Sequence, residues 1–231
     1  MVKWYFETWW MIVARPIYFY AKMKEESWRE RPLTFLLITS WLTALIVTLA
    51  AFIIQYVPIG STLVEGITGF NFIIILPVLI TLSLVFFMIT LLILGGLITL
   101  IFGLACYSVG LVMHYVYLIL GGKGKYEQIL PAVFYSSAVF LALFFPVVFA
   151  FLTRYGMLDF PLFRVGYNLT YGLIALYLYG LWAVVGRMVY GVSKPKAFLG
   201  ALAPIILLLI FGIIFDKMAL PKFEAWITPL K

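Results

Sequence analysis

Polar and apolar positions separate along this chain on the scale of whole helices. No charge falls between Leu33 and Val57, and Pro58-Ile59-Gly60-Ser61 closes that segment. Its length suits a crossing, because about 20 apolar residues span a hydrocarbon core roughly 30 Å thick. Glu65 and Lys123 then bracket 57 residues without one Asp, Glu, Lys or Arg, enough for two crossings. This run divides most naturally at Gly95-Gly96 into Phe70 to Leu94 and Leu97 to Leu120, with Pro77 tolerated as a kink. Further segments read Ile129 to Leu152, Val165 to Val189 and Ala197 to Phe215. The pattern predicts an all-α, polytopic transmembrane helical bundle with six hydrophobic segments, five or six of them full spans.

The first 32 residues follow a different rhythm. Phe6, Trp9, Trp10, Val13, Ile17, Tyr20 and Met23 recur every three or four residues, while Lys3, Glu7, Arg15 and Lys22 fall largely elsewhere. Pro16 suits the first turn of a second short helix. Trp4, Trp9, Trp10 and Trp28 carry rings that favour the membrane interface, so residues 1–32 are expected to lie on the membrane as an amphipathic segment. Docking of this segment on a partner protein is the alternative. Residues 33–215 form the transmembrane domain, and 216–231 a short interfacial tail.

Composition agrees with the pattern. Hydrophobic residues make up 65% and charged residues 11%, with a mean hydropathy of +1.14, against roughly 45–50% and 25% in soluble domains. The net charge of +7 reads as orientation and contact with anionic lipids, not as a nucleic-acid footprint. With six crossings or with five, one arrangement of loops keeps eleven Lys and Arg on the N-terminal side against five opposite, which places the N-terminus in the cytoplasm. Lys3, Glu7, Arg15, Lys22 and Lys24 interrupt any early apolar core, so the N-terminus is expected to remain in the mature protein.

Chemistry is sparse. Intramembrane enzymes and ion-coupled transporters usually need ionisable groups at membrane depth, and the segment centres hold none. A single His114 and a single Cys106 cannot build a protein-only metal or haem site of normal ligand count, and no cofactor is expected. Gly121-Gly122-Lys123-Gly124-Lys125 lacks the spacing and hydroxyl of a phosphate-cradling loop. It reads instead as a flexible basic turn whose Lys123 and Lys125 contact lipid or a partner. Ser136 and Ser137 have no evident histidine-carboxylate relay. Gly96, Gly103 and Gly110 recur every seven residues and are expected to form one face where another helix packs closely; a substrate groove is the sharper alternative. The aromatic cluster from Tyr167 to Tyr190 is expected to serve packing and the interface.

His114, Leu120-Gly121-Gly122-Lys123-Gly124, Tyr126-Glu127-Gln128, Tyr135-Ser136-Ser137-Ala138, Ser193, Lys196-Ala197 and Pro204, with Arg15-Pro16, Phe19, Lys22, Glu25-Glu26 and Pro32 ahead of them, resemble the Yip domain family. These are Ypt/Rab-interacting multi-pass membrane proteins and their prokaryotic relatives. Lys125, Val139 and Trp182 depart from the family pattern. The resemblance implies five spans, a cytoplasmic glycine-rich loop and, for a chain without the long soluble N-terminal region, the prokaryotic type. The interfacial N-terminal segment, the glycine-spaced face and the missing reactive groups point to the expected function, a non-enzymatic organising or assembly subunit in a prokaryotic cytoplasmic (inner) membrane. Membrane lipids, anionic ones included, and other membrane-protein subunits are its expected partners. Permeation of a lipid or an uncharged small molecule is the alternative.

Overall fold

A computed structural model describes residues 2–23, 27–65, 67 and 69–229. Lys24, Glu25, Glu26 and Lys231, which figure in the lead-in motif and the charge asymmetry, lie outside the described residues. The described chain is an all-α bundle. Helices α1 (Val2–Ala14) and α2 (Pro16–Lys22) precede α3 (Arg31–Ala51), which runs through a π-helical turn (Phe52–Tyr56) into α4 (Val57–Val64). Then come α5 (Phe70–Ile119), α6 (Tyr126–Ser136), a 3-10 stretch (Ser137–Leu143), α7 (Phe144–Arg154), α8 (Phe160–Tyr190), α9 (Lys194–Met218) and α10 (Leu220–Ile227). Five helical stretches are long and apolar enough to cross a membrane: Arg31–Gly60, Phe70–Ile119, Tyr126–Arg154, Phe160–Tyr190 and Lys194–Met218. This is a multi-pass membrane architecture.

The expected break at Gly95-Gly96 does not occur. Helix α5 is continuous for 50 residues, about 75 Å at 1.5 Å per residue. Two magnitudes explain why. A glycine inside a helix costs about 1 kcal/mol relative to alanine, whereas opening a helix in hydrocarbon strands several N–H and C=O groups at several kcal/mol each. The helix therefore runs on through both glycines and through Pro77, where the Thr81 hydroxyl donates to the Pro77 carbonyl at 2.8 Å. The first span likewise runs past its expected end at Pro58, with a π-helical turn (Phe52–Tyr56) just ahead of the proline.

Helices α3 and α5 run antiparallel. Trp41 meets Gly95, Phe52 meets Phe87 and Tyr56 meets Phe86. Along the rest of the bundle α8 packs on α9 and α7, and α6 lies between α3, α5 and α8. At one end Gln55 donates to the Trp226 carbonyl at 2.7 Å, Arg154 to the Thr228 carbonyl, and Arg164 forms a forked ion pair with Asp216. Asn168 adds a 3.0 Å bond to the same carboxylate. Leu220 and Ile227 of α10 bury themselves there beside Phe163.

The N-terminal helices pack against the side of the bundle. Tyr5, Thr8 and Ile12 are buried, and Tyr5 bonds Thr39 between hydroxyls at 2.9 Å. Trp4 and Trp9 pack against the core, leaving Trp10 62% exposed. Trp9 Nε1 donates to the Ala138 carbonyl at 2.9 Å, where α6 tightens into the 3-10 stretch. Pro16 has no N–H to give the Ile12 carbonyl. The Tyr177 hydroxyl supplies the missing donor, 2.7 Å from the Ile12 oxygen and 2.8 Å from that of Val13. Ala138 and Tyr177 both lie near the middle of their spans, so α1 crosses the side of the bundle while its Lys3 and Glu7 stay exposed.

Candidate functional site: the basic end of the bundle

One side chain locks the end where α5, α8 and α9 meet. Tyr117 is fully buried. A Cβ added at Gly186 would stand 2.1 Å from its ring, and one at Gly200 2.3 Å, so only glycine admits this wedge from both sides. Its hydroxyl is 2.8 Å from the Ala197 carbonyl and 3.1 Å from that of Trp182. Tyr190 stacks on the ring at 5.1 Å and places its own hydroxyl 2.7 Å from His114 Nδ1. Ser136 is bonded to the Val133 carbonyl at 2.6 Å and to Trp182 Nε1 at 3.2 Å, which ties it into the packing of α6 on α8.

The glycine-rich turn is pinned to this junction, in contrast to the flexible turn expected. Gly121 has a φ of 88°, a left-handed conformation that favours glycine. A Cβ at Gly122 would lie 2.7 Å from the Tyr190 side chain, and one at Gly124 2.8 Å from it. Lys123 N donates to the Tyr190 carbonyl at 3.2 Å, and Lys196 Nζ to the Leu120 carbonyl at 2.8 Å, which satisfies the end of α5. Lys123 and Lys125 themselves are exposed beside it.

Of the three glycines at seven-residue spacing, only Gly110 packs within the chain, where a Cβ would be 3.0 Å from Leu130. Gly96 and Gly103 meet nothing within 4 Å, because α3 approaches α5 one residue earlier, where the Trp41 ring would be 2.6 Å from a Cβ at Gly95. Close packing here works by a ring on one helix entering a glycine notch on another. Trp41, Tyr117 and Phe149, which faces Gly166, all do this. The expected single face of glycines is thus divided between an occupied notch and two open ones.

A cleft of about 640 Å³ opens at the same end. Tyr20 and Ala21 of α2 form one side with the turn carrying Ser27, Trp28 and Arg29. Glu127, Gln128 and Pro131 of α6 form the facing side, and Val185, Met188 and Val189 of α8 the floor. Burial holds the Tyr20 phenol well above its usual pKa, so it stays a neutral donor, bonded to the Ala132 carbonyl at 3.2 Å. Arg29 is exposed, its guanidinium 5.0 Å from the centre of the Trp28 ring. Among the described residues no three His, Cys, Asp or Glu side chains are grouped to hold a metal ion. Sequence reasoning missed the cleft and Tyr117 alike, since both join segments far apart in the chain. Glycines 186 and 200 inside apolar segments were the one visible signal for the second.

No family model, characterised protein or solved structure matches this chain.

Proposed function

We propose that this protein is a non-enzymatic organising or assembly subunit of a larger membrane complex, acting through helix and lipid contacts. One observation carries this reading. Where Phe52 and Tyr56 of the π-helical turn meet Phe87 and Phe86, the first span also reaches the charged end of the bundle through Gln55 and Trp226. Helix α5 continues past that level from Phe86 back to Phe70, about 24 Å further along its axis. Its most apolar window has none of its residues buried in the chain; Phe70, Ile73, Val78 and Leu84 are each more than half exposed. A helix of about 75 Å does not fit upright in a core of roughly 30 Å, so its outer half calls for cover beyond this chain's own helices. Gly96 and Gly103 leave notches open on the same helix.

The chain is Yip-like and prokaryotic in this reading, and resides in the cytoplasmic membrane with its N-terminus inside. Five candidate spans put the N-terminal helices, the Lys123–Lys125 turn and the Arg187–Lys196 region on one side, which supports that orientation by the excess of Lys and Arg there. The test is photo-crosslinking in the native membrane from a reactive residue at Ile80. A reproducible crosslink to one membrane protein is expected. Crosslinks to lipid alone, with a monomer after gentle extraction, would overturn the reading. The cleft also favours a second reading, in which a lipid is handled rather than merely contacted; lipid flux in reconstituted vesicles would favour it.

A further inference from the structure

We infer that the cleft between α2, α6 and α8 is a binding site for one phospholipid with a phosphoethanolamine-type headgroup, its phosphate at Arg29 and its primary ammonium at the first turn of α6. The inference rests on the membrane-lipid part of the reading above and is independent of any protein partner.

Depth is the first argument. Helix α8 serves as a ruler: Arg164, paired with Asp216, marks one charged end of the bundle. Val185 and Met188 lie 21 and 24 residues further on, about 32 to 36 Å away. A hydrocarbon core of roughly 30 Å therefore ends at the floor of the cleft, which sets its mouth among headgroups.

Chemistry is the second. Arg29 offers a planar cation suited to phosphate, and among the described residues no carboxylate pairs with it. Facing it, the first turn of α6 carries one carboxylate. Glu127 presents an exposed carboxylate. Its main-chain carbonyl has no donor four residues on, because Pro131 lacks an N–H. Among the described residues lining the cleft, Arg29 is the cation and Glu127 the anion, which matches a headgroup that is itself a phosphate and an ammonium. A choline headgroup has no N–H to give these acceptors, and a glycerol headgroup brings no cation to Glu127.

The apolar part of the site completes the match. Met188 is 48% exposed at the floor, and Val185, Val189 and Pro131 line the cleft beside it, a surface suited to the start of an acyl chain. Lys22 is held by the Tyr18 hydroxyl at 2.8 Å and is not among the lining residues.

The test uses the whole chain in detergent, with phosphatidylethanolamine, phosphatidylcholine and phosphatidylglycerol of identical acyl chains, and counts retained lipid by native mass spectrometry. One retained phosphatidylethanolamine is expected, preferred by about tenfold, the worth of one charge-assisted hydrogen bond. Glu127→Gln should bring that preference within about twofold, and Glu127→Lys should turn it toward phosphatidylglycerol, with Arg29→Ala weakening all three lipids. Melting curves verify that each variant is folded. Trp28 fluorescence, compared with Trp28→Phe, reports occupancy of the cleft separately. Equal retention of the three lipids by the native chain, or a preference that survives Glu127→Lys in folded protein, would overturn the inference.

Discussion

The two halves of α5 are made of the same residues and held in opposite ways. From Cys106 to Tyr117 the helix buries Cys106, Gly110, Met113 and Tyr117 and is gripped by α6, α8 and α9. From Phe70 to Leu94 none of its residues is buried. Apolarity alone therefore does not fix a helix in a membrane, since lipid solvates Leu and Ile as well as another helix does. What distinguishes the inner half is shape, with rings entering glycine notches and polar atoms that need one particular partner.

The sharpest way to break the comparison is to remove its wedge. Tyr117→Ala should cost about 3–5 kcal/mol, as large-to-small changes of buried aromatics do, and lower the melting temperature in detergent. Gly186→Leu should act as strongly from the other side, because the ring already occupies that space. A melting curve matching the native one would show that the inner half is held by something other than shape. Gly95→Leu and Gly96→Leu, neighbours in sequence, form the next contrast. The first collides with Trp41 and should cost about 1–3 kcal/mol; the second should stay within about 0.5 kcal/mol in the isolated chain.

Smaller effects sharpen the comparison at its ends. Reversing the charges of Lys123 and Lys125, just past the gripped half, should weaken contact with anionic bilayers by about 1 kcal/mol per charge, more at low salt than at high. Salt-independent binding would remove that contact. Gly103→Leu should leave the isolated chain's melting unchanged while reducing recovery of a bound partner. Full recovery would remove the protein-contact role proposed for that face.

Long charge-free runs were legible in the sequence because hydrocarbon excludes charge whatever the tertiary fold. Val165 to Val189 was expected where Phe160–Tyr190 is helical, and Ala197 to Phe215 where Lys194–Met218 is. The observed helices are longer because charge-bearing ends such as Arg164 pair beyond the apolar core. Gly95-Gly96 misled because glycine breaks helices in water, where a freed amide finds a new partner. The heptad of glycines is a different case: spacing says which residues share a face, and within this chain a neighbour comes to Gly110 and leaves Gly96 and Gly103 open. Trp4, Trp9 and Trp10 share one interfacial signature in the sequence, and the fold divides them: Trp4 and Trp9 pack against the core and Trp10 is largely exposed. Their fates divide according to Phe35 and Ala138, which no local pattern contains. The cleft was invisible for the same reason, since Arg29, Glu127 and Met188 come from separate parts of the chain.

Helix α1 is joined to residues made long after it. Its tryptophan bond to Ala138 spans 129 residues and its bond to Tyr177 165, while Tyr5 ties it to Thr39 of α3. The helix is thus a strap across three spans, and its seat is complete only where all three stand side by side.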